Sequence, residues 1–349
     1  MEQVNDCARS IAAGFYDLRP RTVSHGQFLT GTVVVGDDER ANMTLLQEQL
    51  DSACASVQKM IGIGRVADYI PALAQVPANK FGAAIVTVDG ESALYGDSQE
   101  PFSIQSISKM FALTAALNQI GEDVWRRVGR EPSGNSFNSI VQLERENGIP
   151  RNPFINAGAL AITDAMLADQ GTDECTRELL GLVRLLADDE SIGIDTEVAE
   201  SELATAHRNA SLAHFMQSFN NLQRSVDDVL SVYCRQCAIA MSCEQLARSA
   251  LYLAGNGTDP LTSNCFVGTR RARRINALMM LCGHYDASGD FAHRVGLPGK
   301  SGVGGGIVVV VPDIAAVAVW SPCLNANGNS HAGTAALEAL VETTKWNVL

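Results

Sequence analysis

The chain has 349 residues, of which 46% are hydrophobic and 19% charged, so it is globular rather than disordered and long enough for a substantial core. Its formal net charge of −13 argues against nucleic acid or an anionic membrane as the main partner, because both need a basic surface. No run reaches the roughly 18 uninterrupted apolar residues of a membrane span. The N-terminus lacks a basic region followed by an apolar run, so no secretory signal is read there. Nine cysteines scattered through apolar segments read as reduced thiols, and the expected setting is cytoplasmic.

Residues 1–42 differ in character from the rest and read as an N-terminal extension of unknown role. From Met43 a helical period runs through LLQEQLDSACASVQKMI. Two strand-like runs follow, FGAAIVTV and SALYG, joined at Asp89-Gly90, a pair that signals a hairpin. A second hairpin is expected from GIVVVVP and IAAVAVW around Pro312-Asp313, and then a terminal helix, HAGTAALEALVETTKW. Nearly everything between the hairpins reads as helix, with turns at REPSG, NGIPRNP and GNGTDP. Without strand-helix-strand alternation a doubly wound sheet is excluded. The expected class is α+β: an antiparallel sheet from both chain ends (about 81–96 and 306–320) with a helical subdomain over about 120–295, together forming one domain at 43–349.

The sharpest local feature is FSIQSISKMFALTAAL. Ser106 and Lys109 stand three apart at the start of an apolar helix and so share a face. Burial and the helix dipole would both lower the lysine pKa, and a neutral amine can activate a serine hydroxyl. Taken alone, S-x-x-K reads equally well as a capping serine with a solvated lysine. The second feature, LPGKSGVGGGIVVVV, mimics a phosphate loop, but the glycine such a loop needs is Arg294. Penicillin-recognising enzymes set a K-T/S-G triad on the strand opposite an S-x-x-K helix, the place that Lys300-Ser301-Gly302 would take. The backbone N–H groups of Ser106 and Val303 could then form an oxyanion hole.

A third group is polar within apolar surroundings: Asn156, Glu202, Asn209, Tyr233 and Tyr285. Glu202 and Asn209 are seven apart, which on one helix puts them on one face. Individually such residues often only satisfy backbone groups, whereas together they suit a free amino acid with its ammonium and carboxylate. The Arg270–Arg274 run reads as a solvated helix face or loop, and Cys234-Arg-Gln-Cys237 as two thiols of a buried helix rather than a metal site. No metal or organic cofactor is expected.

With these stretches in order, the chain resembles the serine-dependent glutaminase family of bacteria and of the kidney- and liver-type enzyme cores. The likeness runs from about Met43 to the C-terminus through GRVADYIPALA, FGAAIVTVDG, FSIQSISKMFAL, GREPSGNSFNS, NPFINAGALA, SELATAHRN, YDASGDFA and LPGKSGVGGGI. It implies a fold like that of β-lactamases and penicillin-binding proteins, and hydrolysis of L-glutamine to L-glutamate and ammonia without cofactor. It also implies a homodimer or homotetramer. The same likeness makes Ser106 the nucleophile, Lys109 its partner and Tyr285 a proton-handling tyrosine. Tyr69, Gln105, Asn156, Glu202, Asn209, Tyr233 and Val303 become substrate contacts. Ala206-His207 stands where the family commonly has Gly-Asp, and the segment before Met43 has no counterpart. The alternatives are a β-lactamase or penicillin-binding-type serine hydrolase, which lacks support from an S-D-N triad or an export signal, and a catalytically silent glutamine-binding protein.

Overall fold

The computed structural model describes residues 37–133 and 140–349. The expected extension therefore lies outside the described residues except for its last six, which open the first helix, and the GREPSGNSFNS stretch is only partly within them. In chain order the elements begin with α1 (Asp37–Ser56), β1 (Gly82–Thr87), β2 (Ser92–Gly96), β3 (Phe102–Ser103) and α2 (Ser108–Ile120). Next come α3 (Val124–Arg127), α4 (Val141–Arg145), α5 (Asn156–Leu167), α6 (Thr172–Ala187), β4 (Gly193–Ile194), α7 (Thr196–Ala204) and α8 (His207–Ser218). The series ends with α9 (Val226–Cys237), β5 (Ile239–Met241), α10 (Cys243–Ala254), α11 (Thr269–Cys282), α12 (Ser288–Arg294), β6 (Gly299–Ser301), β7 (Gly306–Val311), β8 (Ala315–Trp320) and α13 (His331–Thr344).

The main sheet runs β2-β1-β8-β7-β6 and is antiparallel throughout, so both chain ends build it as expected. Side chains alternate between its faces. Ala83, Ile85, Ile307, Val309, Val317 and Val319 face one core with Leu46 and Leu50 of α1 and Leu337 and Leu340 of α13. Ala84, Val308, Val310, Ala316, Ala318 and Trp320 face the other core, where α10 supplies Leu251 and Tyr252. Covered on both faces, β7 and β8 can be apolar at every position. The hairpins turn where expected, with Gly90 at φ +89° and Asp313 at φ +61°.

The wholly helical reading of the middle needs one correction. Short strands form a second sheet, β3-β5-β4, whose pairs span distant segments that no local period reveals. The Arg270–Arg274 run opens α11 on a partly exposed face, where Arg271 and Arg274 pair with Glu122. Cys234 and Cys237 lie on α9 as buried free thiols, but the expectation of reduced thiols throughout is corrected at Cys265, which is disulfide-bonded. Among the described residues no helix is long and apolar enough to cross a membrane.

Candidate active site

The candidate nucleophile sits on a one-turn 3-10 helix, Gln105–Ile107, that leads directly into α2. The turn is entered with Gln105 at φ +49°, an uncommon conformation for a side-chain-bearing residue and one that surrounding contacts must hold. The glycine-rich loop after β6 supplies those contacts. A Cβ on Gly302 would lie 2.4 Å from the Ile104 carbonyl, and one on Gly304 2.3 Å from that of Ser103. Glycine is therefore required for the loop to lie on the nucleophile turn, which brings the segment carrying Val303 beside Gln105. Trp320 secures the arrangement by stacking on Phe102 at 5.0 Å and donating its indole N–H to the Gly304 carbonyl at 3.0 Å.

Lys109 is 1% exposed. Its Nζ donates to Asn156 Oδ1 at 2.7 Å and to the Phe154 carbonyl at 3.3 Å. Burial pulls its pKa down to about 8, partly opposed by Cys237 and Glu202. Asn156 opens α5 and passes the network on, its Nδ2 donating to Asn209 Oδ1 at 3.0 Å and its Oδ1 accepting from the Tyr233 hydroxyl at 3.4 Å. Glu202 is 7% exposed, and its Oε2 has no hydrogen-bond partner among the described residues. Burial pushes its pKa up to about 7, against the opposing effects of Gln105 and Lys109. An unmatched buried carboxylate oxygen calls for a cation to complete it.

Tyr285 comes from the opposite side, on the turn before α12, and hydrogen-bonds Ser106. Burial pushes its phenol up to about 12, the Ser106 contact acting the other way. Lys300 on β6 is fully buried, donates to the carbonyls of Gly283 and Ser301, and lies 4.8 Å from the centre of the Tyr285 ring. Burial first, and the Lys109 charge next, hold it well below the usual lysine range. The Tyr69 side chain is 56% exposed, yet its phenol is raised by burial, Tyr285 and Glu202. The Ala72 N–H fastens this segment to Ser201 Oγ of α7 at 3.1 Å.

The structure thus gathers Ser106, Lys109, Gln105, Asn156, Glu202, Asn209, Tyr233 and Tyr285 around one centre, with Val303 in the same apolar cluster as Tyr285 and the largely exposed Tyr69 near Tyr285 and Glu202. The shared helix face expected for Glu202 and Asn209 is not what forms. α7 ends at Ala204, and the chain turns through Thr205 before α8 starts at His207. Thr205 closes the helix by donating its hydroxyl to the Ser201 carbonyl at 3.0 Å and its N–H to the Glu202 carbonyl at 3.2 Å. The two residues approach the site from separate helices. Cys237, read from the sequence only as one of two thiols of a buried helix, lies beside Glu202, Tyr233 and Lys109. Its spacing of four from Tyr233 on α9 was the available signal.

A model of the glutaminase family matches residues 64–349. A thermolabile glutaminase of Rhizobium etli is 60% identical over 306 residues, covering 88% of this chain and 99% of that protein. A glutaminase of Agrobacterium fabrum is 58% identical over 303 residues, covering 87% and 98%. Among solved structures, the probable glutaminase YbaS superposes with a TM-score of 0.81 at 37% identity, covering 86% of this chain and 98% of that one. A probable glutaminase of Bacillus subtilis does so at 0.79 and 31%, covering 88% and 98%. These likenesses support the β-lactamase-like α+β fold expected above, and with them this chain belongs to the glutaminase family.

Proposed function

We propose that this chain hydrolyses the side-chain amide of L-glutamine to L-glutamate and ammonia through an acyl-enzyme on Ser106. The observation that carries the reading is the pairing of a buried, pKa-depressed Lys109, one turn beyond Ser106, with a buried Glu202 whose Oε2 is left without a partner among the described residues. Glu202 Oε2 receives the substrate ammonium. Asn156, Asn209, Tyr233 and Tyr69 offer amide and phenol groups to its carboxylate, and Gln105 and Val303 flank the reacting amide.

Neutral Lys109 takes up the proton that leaves Ser106, with Tyr285 as the relay touching the serine oxygen. Ser106 Oγ bonds to the amide carbon, and the resulting oxyanion is held by the Ser106 and Val303 amides. Tyr285 protonates the leaving nitrogen, the C–N bond breaks and ammonia departs. Water attacks the glutamyl ester, its proton returns through the same groups, and glutamate leaves with Ser106 restored. No step calls for a cofactor.

The same reading takes residues 43–349 as the catalytic domain, working in the cytoplasm as a homodimer or homotetramer. The compartment follows from the sequence reading alone, since Cys54, Cys175, Cys243 and Cys282 are free while Cys265 is disulfide-bonded, and sedimentation of the full chain measures the assembly. The decisive assay is ammonia release from glutamine, asparagine and a penicillin. Glutamine turnover should fall by about 10³-fold or more in Ser106→Ala. Full turnover by that variant, or turnover of penicillin alone, overturns the proposal.

A further inference from the structure

We infer that Asn329 is a positioning residue for Tyr285, acting as a brace between the turn that carries the tyrosine and the Lys300-Ser301-Gly302 strand. The inference rests on the role just proposed for Tyr285. Asn329 is 2% exposed and lies in the connection between β8 and α13. Its side-chain oxygen accepts the Ser301 hydroxyl at 2.6 Å, and its side-chain nitrogen donates to the His284 carbonyl at 3.3 Å. One amide therefore spans the residue before Tyr285 and the residue whose carbonyl accepts the Tyr285 hydroxyl at 3.5 Å.

Tyr285 needs such a brace because its backbone sits at φ +55°, which costs on the order of 1 kcal/mol or more and persists only when its surroundings over-determine it. Ser288 Oγ holds the near side of the turn, accepting the His284 N–H at 3.0 Å and donating to the Tyr285 carbonyl at 2.9 Å. Asn329 holds the far side. It is itself rigid: its N–H donates to Asn325 Oδ1 at 3.2 Å and its carbonyl accepts the Asn325 N–H at 2.8 Å. Gly328 at φ +79° brings the loop to the face of the Tyr285 ring, where a Cβ would stand 4.0 Å from two ring carbons. Ser330, the next residue, caps α13 by accepting the Gly333 N–H at 3.2 Å. The brace is thus tied to the sheet and to a terminal helix, and it transmits their rigidity to a strained turn.

Both partners keep another hydrogen bond without it. His284 O also accepts from the Ala287 N–H at 3.1 Å, and Ser301 Oγ reaches the Gly283 carbonyl at 3.4 Å. Loss of Asn329 therefore loosens the tyrosine rather than dismantling the site, and a loosened proton relay shows in kcat and not in KM.

The test is a double-mutant cycle in the full chain, reading ammonia release from glutamine for Asn329→Ala, Tyr285→Phe and the pair. Asn329→Ala should lower kcat about 10- to 100-fold with KM within about threefold. In the Tyr285→Phe background it should lower kcat by no more than about twofold, because the group it positions is already gone. Unchanged kcat in Asn329→Ala, a KM effect alone, or losses that multiply in full overturns the inference. If Asn329→Ala fails to fold by thermal denaturation, Asn329→Ser takes its place, since a serine is too short to span Ser301 and His284, and the same outcomes apply. Full activity in Tyr285→Phe overturns the tyrosine's own role. A slow Tyr285→Phe beside a fast Asn329→Ala overturns only the brace.

Discussion

Lys109 and Glu202 are both buried, and each is shifted toward its neutral form. The proposed reaction uses the neutral lysine that burial favours but needs Glu202 charged, so both groups must be without their proton. With pKa values of about 8 and about 7, both conditions fail as the pH drops, so kcat/KM for glutamine should rise from pH 6 through pH 8 and flatten only about one unit above the lysine pKa. A profile that falls over that range contradicts the assignment. Lys109→Ala should remove about 10³-fold or more of kcat at every pH. Linkage gives a second check on Glu202. Its folded pKa is raised, so the native state holds a proton that the unfolded chain releases near pH 4.3. The stability this gives is present at low pH and lost as pH rises toward about 7. Glu202→Gln should therefore raise the melting temperature more at pH 8 than at pH 5, while glutamine binding is lost. Equal shifts at both pH values would show that the carboxyl is not strained.

At the scale of elements, the site depends on where helices begin and end. The capping box of α10 pairs Ser242 Oγ with the Gln245 N–H at 3.1 Å and Gln245 Oε1 with the Ser242 N–H at 2.9 Å. That helix lies under the sheet rather than in the pocket, so Ser242→Ala should cost about 1 kcal/mol of stability and leave kcat unchanged. Urea unfolding beside steady-state kinetics measures both, and a kcat effect would mean that the helix reaches the site. The Ser106 helix was legible because its information is local: an S-x-x-K spacing followed by a run apolar all round, and α2 is buried from Ser108 through Thr114. The hairpins were legible for the same reason. The break between Glu202 and Asn209 was not, because spacing alone assumes a continuous helix, and Thr205 ends it through hydrogen bonds to the turn before. Asn329 and the place of Cys237 beside the site were also hidden, since each depends on segments distant in the sequence.

At the scale of the whole molecule, the helical part must be held as one body for the pocket to keep its shape. Asp164 of α5 is 2% exposed and joins three segments. Its carboxylate meets Arg127 of α3 at 2.5 Å and accepts the N–H groups of Gln223 at 3.1 Å and Arg224 at 2.8 Å. Arg127 in turn donates to Asn221 Oδ1 at 3.0 Å and to the Asn221 carbonyl at 2.7 Å. Asp164→Ala strands a largely buried guanidinium and two amides, and should cost about 3–5 kcal/mol by urea unfolding. A loss under about 1 kcal/mol would show that the network is dispensable.

The sequence by itself determined the antiparallel pairing of both chain ends, the buried helix that carries Lys109 directly after Ser106, and the family. Each is written in local periodicity, turn chemistry or contiguous stretches of residues. Only the tertiary structure decided that one oxygen of buried Glu202 is left without a partner among the described residues, that Tyr285 is held at a positive φ against Ser106, and that Asn329 bridges its turn to β6. Those relations arise when segments far apart in the chain close on one another. A buried charge acquires its pKa, and a strained turn its support, from neighbours that exist only once the chain has folded.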